Sequence, residues 1–163
     1  YMRGVWIYTQ ESPTVYRYVD WLITVPLQIV EFYLILAAVT SVSAGLFWKL
    51  LVGSLVMLIG GYMGETAMVD RTIGFVIGMV GWAWVIYLIF FGEAANVNAS
   101  SGNAASQMAF KTIRMIVLVG WAIYPIGYLM NNAADLNIVY NLADLLNKTA
   151  FGLAIWAAAV SDS

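Results

Sequence analysis

The chain of 163 residues contains no cysteine and no histidine. Without thiols there is no disulfide, no thiolate nucleophile and no thiolate metal site. Without imidazole, the usual general base and the commonest metal ligand are both missing, so no metal is expected. Charge is scarce too: charged residues make up 10% of the chain, against about 25% in a soluble domain. The net charge of −2 offers no basic footprint for nucleic acid. What the chain has in excess is apolar surface, with 63% hydrophobic residues and a mean hydropathy of +0.84. That balance belongs to an integral membrane protein.

A bilayer core about 30 Å thick is crossed by about 20 mostly apolar helical residues. Five segments meet that requirement, at roughly 14–40, 46–63, 72–91, 107–130 and 136–160. The predicted fold is therefore all-α and transmembrane, a single domain over residues 1–163. Pro13 suits the first turn of the first span, with Ser12 as its N-cap. Residues 92–106, "GEAANVNASSGNAAS", are small and polar and read as a flexible loop. The glycosylation-like triplet Asn98-Ala99-Ser100 inside it is too short a pattern to carry weight. The chain starts without Met, signal-peptide pattern or early apolar run and ends without a tail, so we expect an internal piece of a longer protein.

Loop charges set an orientation. Lys49, Lys111 and Arg114 lie on one side with Glu93; Arg3 and Arg71 lie on the other with Glu11, Glu65, Asp70 and Asp135. The first side is expected to be cytoplasmic, which five crossings make the side of the C-terminus as well.

The stretch "RYVDWLITVPLQIVEFYLIL" puts three charges and an amide into hydrocarbon. A charge at a helix centre costs roughly 2.5–3.5 kcal/mol, so Arg17, Asp20, Glu31, Asp144 and Lys148 together cost on the order of 10 kcal/mol. Such groups usually face inward, in pairs, along a pathway or against a cofactor. Arg17, Asp20 and Thr24 share one helix face at i, i+3 and i, i+4 spacings, and Glu31 returns to nearly that face about 16 Å further on. Lys148 has two candidate counter-ions, Asp144 on its own helix at i−4 and Asp20 on another. Its stem of about 6 Å falls short of the roughly 15 Å half-bilayer, which favours a buried amine over a snorkelling one. A buried amine of this kind can form a Schiff base with a carbonyl. Two plainer readings stay open: Glu31 as a protonated carboxyl at a helix end, and Arg17 as an interface anchor.

In "GWAIYPIGY", Trp121, Tyr124, Pro125 and Tyr128 fall on one helix face. Taken alone, that is equally well a packed aromatic cluster beside a proline kink. With Trp21, Met57, Trp82 and Trp84 from three other helices, the same residues can line a flat apolar slot.

"RYVDWLITVPLQIVE", "GWAIYPIGY" and "NLADLLNK", together with "YMRGVW", "LLVGSLVML" and "GYMGE", resemble the microbial rhodopsins, and among them the marine bacterial proteorhodopsins. The resemblance covers essentially the whole chain. It implies a seven-helix bundle of which the spans here are the third to seventh, in a bacterial inner membrane, with all-trans retinal as cofactor. It implies a retinal Schiff base on Lys148, Asp20 as main counter-ion and proton acceptor, and Asp144 as second counter-ion. Arg17 would tune the acceptor and Glu31 would return a proton from the cytoplasmic side. Trp21, Thr24, Met57, Trp82, Trp121, Tyr124, Pro125 and Tyr128 would line the retinal pocket, with Gln28 setting the colour. The partners implied are lipid, protons and further copies of the same chain.

The activity so implied is light-driven outward proton pumping with blue absorption. A sensory rhodopsin would share Asp20 and Lys148 but typically lacks a carboxyl at the position of Glu31. Asp20 would repel the anion of a chloride pump, and the Asn/Asp/Gln pattern of a sodium pump is absent. A membrane scaffold or transporter using the same charges without retinal is the rival from another class. Two departures stand out: the acceptor's usual histidine partner on the second helix lies outside this sequence, and no clear release carboxylate appears among Asn131, Asn132 and Asp135. A polar amide near the chromophore favours charge localised at the Schiff base in the ground state, so Gln28→Leu is expected to move the absorption maximum of the retinal-bound protein to longer wavelength. An unchanged maximum removes Gln28 from colour tuning.

Overall fold

The computed structural model describes residues 1–162, and these contain helices and no strand. In order they are α1 (Met2–Thr9), α2 (Thr14–Ala37), α3 (Ala44–Glu65), α4 (Arg71–Phe90), α5 (Glu93–Ser100), α6 (Ala104–Met115), a π-helical segment (Ile116–Gly120), α7 (Ile123–Tyr128) and α8 (Ala133–Asp162). Among the described residues, α2, α3, the Arg71–Ser100 stretch and the Ala104–Tyr128 stretch are long and apolar enough to cross a membrane. The 30-residue α8 is long enough, but Asn137, Asn141, Asp144, Asn147 and Lys148 interrupt its apolar run.

The helices turn apolar residues outward as well as inward. Val19, Leu22, Ile23, Leu27 and Leu34 of α2 are all exposed, whereas Arg17 is 1% exposed. This inverts the arrangement of a water-soluble helix and suits a lipid surround, in which backbone groups are satisfied within each helix.

Side-chain caps start four helices, with Asn132 accepting from the Ala134 and Asp135 amides at α8. Ser43 accepts from the Leu46 amide, Asp70 from Thr72 and Ile73, and Asn103 from Ser106. The expected Ser12 cap on α2 is not formed. The Ser12 hydroxyl donates instead to Asn137 Oδ1 of α8 at 3.1 Å, and Pro13 takes the cap position. Two short helices were also not anticipated. The first, α1, ends at Gln10 in the left-handed region, φ 59°. The second, α5, replaces the loop expected over 92–106. It forms because Glu93 begins it with bonds to Ser43 (2.6 Å) and Lys49 (2.7 Å), while Ala94 and Asn98 are buried.

The closest helix pair is α3 with α4, packed through glycines. A Cβ added at Gly81 would lie 2.5 Å from the Met57 amide nitrogen, and one at Gly60 2.7 Å from that of Gly78. The helix expected over 107–130 is broken into three pieces. Over the π-helical segment the Trp121 amide reaches back to Ile116 O (3.0 Å), and before Pro125 the Tyr124 amide bonds to Trp121 O (3.1 Å). Other helices supply donors at this break: Trp82 Nε1 of α4 to Val117 O, and Asn147 Nδ2 of α8 to Gly120 O, each at 3.0 Å.

The glycine seam predicts that Gly81→Leu overpacks the α3–α4 contact and destabilises by about 1–3 kcal/mol. Gly152→Ala, where nothing lies within 4 Å, serves as the control. Thermal unfolding in detergent reads the difference, and equal midpoints for both variants would contradict the packing argument.

Candidate functional site

Two helices carry the polar side chains of the interior. On α8 the stripe Asn137, Asn141, Asp144 and Lys148 recurs at three- and four-residue intervals along one face. It meets Arg17, Asp20 and Trp21 of α2.

Lys148 Nζ lies 2.7 Å from Asp20 Oδ2, with both side chains about one third exposed. Asp144 is bonded elsewhere: its Oδ1 accepts from Tyr124 OH (2.7 Å) and Trp21 Nε1 (3.0 Å), and its Oδ2 lies 3.7 Å from Arg17 Nη1. The two candidate counter-ions of Lys148 are thus divided in this structure, Asp20 to the lysine and Asp144 to the arginine. Arg17 does not pair with Asp20 despite the i, i+3 spacing. Its Nη1 donates to Asn141 Oδ1 (3.1 Å) and its Nη2 to Asn137 Oδ1 (3.0 Å). The guanidinium also sits 5.2 Å from the Tyr140 ring centre and 5.9 Å from that of Trp21. Its Nε has no hydrogen-bond partner.

A central cavity opens between the helices. Every side chain that the resemblance sets against retinal lines it: Trp21, Thr24, Gln28, Met57, Trp82, Trp121, Tyr124, Pro125, Tyr128 and Lys148. Asp144 reaches it as well. Trp84 does not; it faces outward, 45% exposed, and donates to Lys49 O at 3.2 Å. Trp82 and Trp84 are two residues apart, so one helix cannot turn both into the same slot.

Several wall residues went unnoticed in the sequence. Tyr18, Val25, Leu58, Phe75, Met79, Tyr140 and Asn147 complete the lining, and Gly61, Gly74 and Gly78 bring backbone close to it. Asn137 and Asn141 escaped as well, although the periodicity of Asp144 and Lys148, carried one and two turns back, points to both.

Glu31 stands apart from this cluster. It is exposed and borders a second cavity with Asn103, Ser106, Ile155 and Ala158. Eleven helical residues separate it from Asp20, about 16 Å along α2.

The central cavity fits a long apolar molecule with one reactive end. Its walls are largely aromatic and sulfur-bearing, Lys148 is the amine that reaches it, and the Thr24 hydroxyl inside it has no hydrogen-bond partner.

An amine–carboxylate pair beside an aromatic cavity, within a bundle of apolar helices, defines a multi-pass helical membrane protein with an internal ligand pocket. The chain belongs to the bacteriorhodopsin-like protein family, whose model matches residues 2–162. It is 54% identical to a blue-light absorbing proteorhodopsin from Gamma-proteobacterium Hot 75m4 and 52% identical to a green-light absorbing one from Gamma-proteobacterium EBAC31A08. Each match covers 100% of this chain and 68% of the relative. Among solved structures, the blue light-absorbing proteorhodopsin from Med12 superposes with a TM-score of 0.84 at 58% identity, over 100% of this chain and 75% of that one. Exiguobacterium sibiricum rhodopsin matches with a TM-score of 0.77 at 36% identity, over 90% of this chain and 66% of that one.

Proposed function

We propose that the protein is a light-driven outward proton pump that absorbs blue light and holds all-trans retinal on Lys148. The observation that carries this reading is the 2.7 Å pair between Lys148 Nζ and Asp20 Oδ2 beside the aromatic cavity. The 54% identity to a protein named a blue-light absorbing proteorhodopsin supports the colour, and Gln28 against the cavity is its residue-level counterpart. In this reading α8 is the fifth membrane crossing, the membrane is the bacterial inner one, and the C-terminus lies in the cytoplasm.

Retinal joined through its carbonyl carbon to Lys148 Nζ would supply visible absorption and a light-induced fall in that nitrogen's proton affinity. The chain's own groups do the rest. Asp20 Oδ2, already at hydrogen-bond distance, receives the proton from the lysine nitrogen. Trp21 Nε1, Tyr124 OH and the Arg17 guanidinium converge on Asp144, so its oxygens are already engaged. It thereby does not compete with Asp20 for the proton. Asn137 and Asn141 grip the Arg17 fork, which keeps the cation on the Asp144 side of the bundle. Trp21, Trp121 and Tyr124 form flat walls that orient an extended ligand and exclude water from it. Glu31, about 16 Å away along α2, returns a proton to the lysine nitrogen from the cytoplasmic end. Acceptor and donor at opposite ends of one helix give the transport its direction.

Lys148→Ala is expected to abolish visible absorption after addition of all-trans retinal, and a retained band would refute the linkage. Light-induced external acidification, collapsed by a protonophore, tests pumping in the same preparation. Glu31→Gln is expected to slow the late, reprotonating phase of the photocycle by about 10²-fold or more while early deprotonation of the lysine nitrogen keeps its rate. Flash spectroscopy resolves the two phases, and an unchanged late phase would remove Glu31 from the path.

A further inference from the structure

Tyr140 separates two cavities. Its ring lines the central one, and its hydroxyl donates to Glu65 Oε1 at 2.6 Å. Glu65 in turn lines a separate, open cavity with Ser12, Asp70, Arg71 and Asn131. We propose that Glu65 is the last proton-holding group on the outward path, passing protons from the Tyr140 side to water in this outer cavity. The assignment rests on the pumping reading above, in which this end of the bundle is extracellular.

The other charged groups around the outer cavity are committed. The Asp70 carboxylate caps α4 through the Thr72 and Ile73 amides. The Arg71 guanidinium clamps the carbonyls of Tyr128 and Met130 and bonds to Asn131 Oδ1. The Glu65 carboxyl caps no helix and pairs with no cation within salt-bridge distance among the described residues. It is half-buried at the last residue of α3, with one oxygen on Tyr140 and its side chain at the cavity wall.

The groups that face it come from four helices. Arg17 on α2 and Arg71 on α4 act on it as positive charges, the Tyr18 and Tyr128 phenols lie nearby, and Tyr140 on α8 bonds to it. In the release step the Glu65 O–H bond breaks and its proton joins a water of the outer cavity. The carboxylate left behind keeps the Tyr140 O–H bond and is stabilised by the two arginines. The proton that Asp20 later gives up reloads Glu65, so no net charge is left on the chain.

A purely structural role for this contact, tying α3 to α8, is separable from a proton-carrying one. Glu65→Gln keeps an oxygen that accepts from Tyr140 but cannot release a proton. The experiment uses the retinal-bound protein in detergent, with a pH-sensitive dye for release and infrared difference spectroscopy for carboxyl bands. In Glu65→Gln, release is expected to slow by about tenfold or more while the visible maximum and the early deprotonation of the lysine nitrogen are unchanged. One carboxyl difference band is expected to vanish, and Glu65→Asp is expected to restore release. If Glu65→Gln does not fold, Tyr140→Phe is measured instead and is expected to delay release in the same phase. Unaltered release timing with unaltered carboxyl bands, in either variant, overturns the assignment and leaves pumping intact. An unsubstituted protein with retinal and a photocycle but no light-induced pH change overturns pumping and this assignment together.

Discussion

A charge in hydrocarbon is tolerated only where other polar groups meet it, and that constraint organises this bundle. Lys148 of α8 meets Asp20 of α2, and Arg17 of α2 meets Asp144, Asn141 and Asn137 of α8. Leaving one such group unpaired costs several kcal/mol, so the register between α2 and α8 is held by these partners rather than by apolar packing, which lipid supplies equally well. The Ser12 hydroxyl joins the same system by bonding to Asn137. The cavity lies beside the polar seam, so it is bounded by charge on one side and by rings on the other.

Division of labour between the two carboxylates follows from their neighbours. Asp144 is surrounded by three donors, among them a phenol and an indole, and so is held in place. Asp20 has one strong partner, the lysine, and is more exposed. A carboxylate with a single movable partner can change protonation with little rearrangement, while one fixed by three cannot. The chemistry proposed for the pair thus rests on the number and direction of hydrogen bonds, not on any difference between two aspartates.

Much of this was legible in the sequence. The long apolar runs announced α2, α3, α4 and the broken helix before α8, because a bilayer imposes a length that few other contexts require. Helical spacing offered Asp144 and Asp20 as alternative counter-ions of Lys148, of which the structure pairs only Asp20 with it, and it gathered Trp121, Tyr124 and Tyr128 onto one face. What stayed hidden depended on partners distant in the chain. Ser12 looked like a cap, and only Asn137, 125 positions on, decides otherwise. The π-helical register at Ile116–Gly120 is bound up with Trp82 and Asn147, which no local pattern reveals. The short α5 lacks an apolar run of membrane length and forms through Glu93 and the burial of Ala94. Trp84 misled because its type suits a slot while its angular position does not.

The glycine contacts between α3 and α4 have a mechanical consequence. Where backbone rests against backbone there are no side chains to change rotamer, so the two helices cannot slide without collision. They form a stiff plank along one side of the cavity. A neighbouring wall is a jointed rod, interrupted at Ile116–Gly120 and again before Pro125, whose carbonyls are gripped by an indole and an amide that can let go singly. A push from inside the cavity meets an anvil on the first side and a hinge on the second, so the bundle yields asymmetrically whatever delivers the push.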